Sequence, residues 1–346
     1  MELRAAAIGA ALAGFHATGL DRLAARVARG RGIVLTLHHV SPETPPEFAP
    51  NALLTVTPAF LAETVRTLRD RGFEIVDLDT ALDRLAAPPA GARPFAVLTF
   101  DDAYRDFRDH ALPVLRTLDA PATLYVVSAF AAGRGFMWWR ALEAAIRALP
   151  EIPVRPGIAP IPSDSAAAKA AAWRRLYWDL RSGPEARLID EVARLAALAG
   201  YDAHADCAAM CLTWDELRPL ARDPLVTIGA HSVHHRMLAK WDAGTARDEM
   251  AVNRDDIGRE LGVAAAHFAY PVGAPDAAGE REFAMAAELG FRSAVTTRPD
   301  HLRDRHAALA HALPRVSLNG LFQHRRYLGP LLSGAPFLAR NLLRRG

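Results

Sequence analysis

Hydrophobic and polar positions follow two rhythms along this chain. In TVTPAFLAETVRTLRDRG, apolar residues recur at three- and four-residue spacing. This predicts an amphipathic helix capped by Thr57, opened by Pro58 and stopped by Gly72. A strand, Glu74 to Leu78, is expected next. PFAVLTF is apolar almost throughout, the pattern of a parallel strand covered on both faces. DFRDHALPVLRTLDA predicts a helix and PATLYVV another strand. After an interruption come strand LVTIGA, helix AGTARDEMAVNRDDIGRELG, strand AHFAYP, helix AAGEREFAMAAELG and strand SAVTT, and LPRVSL closes the series. Repeated strand–helix units predict an α/β protein with a parallel sheet, open or closed into a barrel.

The interruption, residues about 133–211, holds helical patterns split by the proline-rich PEIPVRPGIAPIPSD, and is expected to be a helical insertion on one connection. Residues 1–31 form an N-terminal extension. Its apolar run, Ala5 to Phe15, is short, Glu2 spoils a basic start and His16 interrupts it. LDRLAARVARGRG then predicts an amphipathic helix with Leu20, Leu23, Ala24 and Val27 on one face, stopped by Gly30. No stretch reaches the roughly 18 apolar residues of a membrane span, so a retained helix and a cytoplasmic protein are expected. The tail, residues 321–346, mixes leucine, phenylalanine and arginine as a membrane-surface helix would, which leaves peripheral membrane contact open. Gly334 and Pro336 break it, and docking against the barrel is expected.

Composition changes little in this picture. The 346 residues are 51% hydrophobic and 23% charged, with a formal net charge of +2; no strong field argues for nucleic acid as a partner. Cys207 and Cys211 exclude a disulfide scaffold and share a helix face, as small buried residues ordinarily do.

The chemistry starts at Asp101 and Asp102, adjacent carboxylates at the end of an apolar strand. Like charges so close repel unless a cation lies beside them. VTIGAHSVHHRML supplies His231, His234 and His235 after another strand. His231 and His235 share a face at helical pitch, and a carboxylate commonly completes such a metal site. Parallel strands bring their C-terminal ends to one face, so Asp101, Asp102, His231 and His235 are expected at one rim. One carboxylate then binds the metal and the other is kept charged by it, with His234 a bystander.

TFDD, HSVHH and FAYPVG, in this order, resemble the leading motifs of the polysaccharide deacetylases, carbohydrate esterase family four. LTLHHV and LPRVSLNG strengthen the likeness, which spans about 32–320 apart from the insertion. The resemblance implies a distorted (β/α)7 barrel over 32–320 and hydrolytic removal of acetyl groups, N-acetyl above all, from a poly- or oligosaccharide. It implies a divalent metal, Zn before Co, Mn or Ni, on Asp102, His231 and His235, with Asp101 as general base. The segment Tyr270, Pro271, Val272 matches the one whose backbone N–H holds the oxyanion; valine stands where tyrosine is usual, which a backbone donor tolerates. Where the family often has an arginine that orients the base, this chain has Ala269, and Arg315 is expected to reach the base instead. The general acid stays open between His311, whose LAH matches the family's late motif in letters, and His38. Tyr270, Trp138, Trp139 and Trp214 are candidates to stack on sugars, although buried tryptophans are more often core. His301, His306 and His311 otherwise belong to a polar surface connection. A small-molecule amidohydrolase on the same barrel and an inactive sugar- or metal-binding relative are the competing functions.

Overall fold

The structure, a computed structural model, describes residues 2–88, 91, 93–154 and 158–343. Seven strands, β1 (Gly32–Leu37), β2 (Phe95–Phe100), β3 (Ala122–Val126), β4 (Val226–Ala230), β5 (His267–Ala269), β6 (Ser293–Val295) and β7 (Val316–Ser317), run in the order β6-β5-β4-β3-β2-β1-β7 through one parallel sheet, whose eighth strand, Glu74–Ile75, pairs with β2 off this path. The sheet curls into a half-barrel of the (β/α) type. Residues between β6 and β7 span its open side through single bridges, Val295 to Leu313 and Gly32 to Leu302. Alternation sets the faces: Phe95, Val97 and Tyr125 fill the interior with Val34, Ala269 and Val295, while Ala96, Leu98 and Phe100 pack outward under the helices. The interior is full, because a Cβ on Gly229 of β4 would lie 2.5 Å from the Tyr125 ring.

The longer helices are α1 (Glu2–Ala17), α2 (Leu20–Ala28), α3 (Pro58–Asp70), α4 (Leu78–Ala86), α5 (Trp138–Ala148), α6 (Ala166–Ser182), α7 (Glu185–Leu198), α8 (Ala243–Leu261), α9 (Glu280–Glu288), α10 (Arg325–Ser333) and α11 (Ala335–Leu343), with shorter ones at Leu112–Thr117, Ser128–Ala131, Ala203–Met210 and Trp214–Leu220. Thr57 caps α3 by accepting from the Phe60 N–H, as the sequence predicts. The expected strand Glu74–Leu78 is shorter. Only Glu74–Ile75 pairs with β2, because Asp77 accepts from the Thr80 N–H and starts α4, whose Leu78, Ala81 and Leu85 are buried. In the insertion, α5, α6 and α7 flank a small antiparallel hairpin, Glu151–Ile152 with Ile161–Pro162. Trp138, Leu142, Leu176 and Leu188 bury into one cluster with Tyr104, Val127, Met237 and Ala277 of the barrel, so the insertion and the barrel share a core.

The N-terminal extension departs from expectation. Leu20, Leu23 and Val27 are 48%, 59% and 80% exposed, and α2 instead buries Asp21 and Ala28. The reason is an ion pair: Asp21 takes a 2.6 Å hydrogen bond from Arg71 and lies 3.1 Å from His16 Nδ1. The tail helices dock on the body, α10 against α1, α2 and α3 and α11 against α2. Among the described residues, no helix is long and apolar enough to cross a membrane.

Candidate active site

Alternation along β2 carries Val97, Thr99 and Asp101 to the barrel interior, and the chain then turns sharply. Asp102 and Ala103 adopt φ of 70° and 50°, which exposes the second carboxylate to the same rim. Arg315 meets Asp101 in a fork, Nη1 to Oδ1 and Nη2 to Oδ2, both 2.7 Å. It also donates to Thr99 Oγ1 and the Thr296 carbonyl. Arg315 precedes β7 rather than following it. Its side chain, fully buried, crosses from the β7 edge to the end of β2.

His231 follows β4 directly. Its Nδ1 lies 2.6 Å from the Ala269 carbonyl, which only accepts, so Nδ1 carries the hydrogen and Nε2 presents a lone pair. His231 Nε2 and His235 Nε2 lie 3.6 and 3.4 Å from Asp102 Oδ1. That oxygen is buried and has no hydrogen-bond partner. The three residues are buried with ligating atoms within 4.8 Å of one another. Lone pairs converging on one point without a donor are the arrangement a divalent cation satisfies.

Electrostatics sharpen the contrast between the two carboxylates. Burial pushes both up. At Asp101, Arg315 and then His231 outweigh burial and hold the carboxyl well below the usual range. At Asp102, burial and the Asp101 charge drive the carboxyl up to about 8. Burial lowers His231 and His235, keeping both neutral and able to ligate. His38 Nε2 lies 3.9 Å from Asp101 Oδ2, and burial pushes that histidine down to about 4.

These groups form the floor of a cavity of about 430 Å3 that Trp138, Trp139, Trp173 and Tyr177 of the insertion wall in. Val272 is on the same lining with φ 62°, rare for a β-branched residue, and its N–H donates to no described residue. Five of the six non-glycine residues with positive φ, namely Asp102, Ala103, Ser232, His235 and Val272, sit at this rim. Strain concentrates there because surrounding hydrogen bonds enforce it.

Several expected residues lie elsewhere. His311 does not line the cavity, and its Nε2 lies 2.7 Å from the Phe291 carbonyl; residues 310–312 pack beside β6 and α9. Tyr270 is wholly buried and donates to the His311 carbonyl, because its ring packs between Phe268 and Phe283. Pro271 is buried beside it. Trp214 packs on the barrel core. His301 and His306 are buried, not surface groups: His301 Nε2 holds the Leu331 carbonyl of α10 and His306 accepts from the Arg303 N–H. His234 is turned to Glu249.

Three residues that hold the histidine loop were missed by sequence reasoning. Glu249 of α8 accepts from the Val233 and His234 N–H groups. Asn253, one turn on, accepts from the His231 N–H and donates to Val126 and Ser128. Glu185 of α7 accepts from the Met237 N–H and the Trp241 indole. The available signal was polar residues on the face of α8 that also carries Ala246, Met250 and Ile257; Glu185 gives none.

The profile of the family described as "Polysaccharide deacetylase" matches residues 90–294, more than half of the chain. No curated protein sequence matches the chain. Among solved structures, the Streptococcus pyogenes deacetylase PplD in complex with acetate is 18% identical, with TM-score 0.55, 89% of this chain and 96% of that one covered. IcaB from Ammonifex degensii is 17% identical, with TM-score 0.55, 89% and 97% covered. A de-N-acetylase from Aggregatibacter actinomycetemcomitans is 15% identical, with TM-score 0.50, 82% and 94% covered. At such identities these structures show the fold alone.

Proposed function

The chain belongs to the polysaccharide deacetylase family and is a hydrolase, and on that premise we propose that it removes N-linked acetyl groups from a saccharide with a divalent cation held by Asp102, His231 and His235. The observation that carries this reading is the buried, donor-free convergence of those three residues beside a carboxylate fixed by Arg315. A bound cation there supplies Lewis acidity, polarising the acetyl carbonyl and lowering the pKa of water. Zn suits one carboxylate and two imidazoles, and Co, Mn or Ni are also compatible.

Asp101, held ionised by Arg315, takes the proton from the attacking water. As the water oxygen bonds to the acetyl carbon, negative charge gathers on the carbonyl oxygen, and the Val272 N–H donates to it. The C–N bond then breaks, and the sugar nitrogen must gain a proton. His38, 3.9 Å from Asp101 Oδ2, is the group placed to pass it on. Acetate and a free amine leave.

The test is acetate release from N-acetylglucosamine oligomers and from aryl acetates by chelated protein, before and after Zn, Co, Mn or Ni is restored. Release from the oligomers on restoring metal, abolished in Asp102→Ala, is the expected result. Metal bound one-to-one without release from any N-acetylated oligosaccharide, neutral or acidic, sinks the proposal in favour of a small amide substrate or an inactive protein.

A further inference from the structure

The cavity wall that the insertion contributes is made of aromatic faces and hydrogen-bond donors. Trp173, Arg174, Tyr177, Trp178 and Arg181 recur along one side of α6 and all line the cavity. Trp178 is 59% exposed where ordinary packing would cover it. From α5, Trp138 and Trp139 add indole N–H groups that are buried without an acceptor, and Arg181 Nε is in the same condition. Arg174 has no hydrogen bond or ion pair among the described residues. The carboxylate nearest Arg181 is Asp276, 3.6 Å away and half exposed. Among the described lining residues, the only carboxylates are Asp101 and Asp102 on the floor. Among the described residues, every buried unpartnered polar atom on the insertion side of the lining is a donor; Arg174 has no acidic partner, and Arg181 has only the half-exposed Asp276.

Buried donors without acceptors are uncommon unless a ligand completes them. A neutral sugar offers hydroxyls, which donate as readily as they accept, whereas a carboxylate or phosphate only accepts. The guanidinium fork fits either anion in two parallel hydrogen bonds. Resting on the deacetylase reading above, we propose that this wall selects an acidic saccharide, in which the residue next to the acetylated sugar carries a carboxylate or phosphate bound by Arg174 and Arg181 while its ring lies on Trp178.

The experiment compares three probes of equal length on the metal-restored enzyme: neutral N-acetylglucosamine oligomers, oligomers alternating N-acetylglucosamine with glucuronate, and N-acetylglucosamine oligomers bearing 6-phosphates. The expected result is a kcat/KM about tenfold or more higher on one acidic probe, carried by KM, and the preferred probe identifies the anion. Arg174→Gln, at an exposed position, removes most of that preference and changes the neutral probe by less than about twofold. Arg181→Gln behaves likewise where it folds. Trp178→Ala raises KM on all three, since stacking ignores charge. Equal kcat/KM on the three probes, or an Arg174→Gln loss shared equally by the neutral one, overturns the proposal. Release from none of them sinks the deacetylase reading instead. Tryptophan-fluorescence titration then still tests the wall, which must bind an acidic probe more tightly than the neutral one.

Discussion

Arg315 and Asp101 meet where neither side chain reaches solvent, so each answers the other's charge in a medium that screens poorly. Removing the guanidinium leaves a buried carboxylate alone, a change that costs about 3–5 kcal/mol in comparable pairs. In Arg315→Ala, turnover is expected to fall by orders of magnitude with cation content intact. The acid limb of the pH–rate profile should also move up, because burial is then the main force on Asp101. Unchanged turnover would refute the positioning role. Asp102 behaves oppositely. With its carboxyl pushed up to about 8 by burial and by Asp101, the cation must displace a proton at neutral pH. Calorimetry of Zn uptake at pH 7, in buffers of different ionisation enthalpy, should show close to one proton released per ion, with affinity falling about tenfold per pH unit below 8. No release would mean that Asp102 is already ionised. Sequence made both carboxylates and both histidines legible because each follows a strand. It left His38 and His311 undecided, since nothing in the letters revealed that residues 310–312 pack beside α9.

At the scale of elements, the strands were legible because they are apolar on both faces, and α3 because its cap and stop are written in single residues. The outward turn of α2 was not. Its leucines suggested a buried face, while the determinant was a pairing of Asp21 with Arg71, a residue 50 positions away. The bracing of the histidine loop by α7 and α8 was equally invisible, because it consists of long-range hydrogen bonds. Glu185 is its most isolated strut. Glu185→Ala strands the Met237 N–H and the Trp241 indole, and an unmet buried donor costs about 1–3 kcal/mol. Met237 lies two residues beyond His235, so this variant should bind Zn less tightly while its far-ultraviolet dichroism stays native. Wild-type affinity would show that α8 alone holds the loop.

The whole molecule buries neutral imidazoles from end to end of the barrel. Burial pushes His38, His301 and His306 down to about 4, and lowers His231 and His235 as well. Between about 4 and the ordinary 6.5, the unfolded chain therefore binds more protons than the folded one, and stability rises with pH. Each of the three histidines driven to about 4 contributes roughly 1.4 kcal/mol per pH unit across that window, and Asp102, raised to about 8, offsets one of them. Urea unfolding midpoints should climb steeply from pH 4.5 to 6.5 and then flatten, and a midpoint independent of pH over this range would show that these rings titrate normally. The closure between β6 and β7 carries a consequence of a different kind. Asp101, Asp102, His231 and His235 all leave the ribosome well before Arg315, yet a domain folds as a unit. On the roles proposed above, a nascent chain cannot complete its cation pocket and its fixed base until the end of the barrel has been made. Hydrolytic competence then arrives as a late event of biosynthesis, when the last strand seals the barrel.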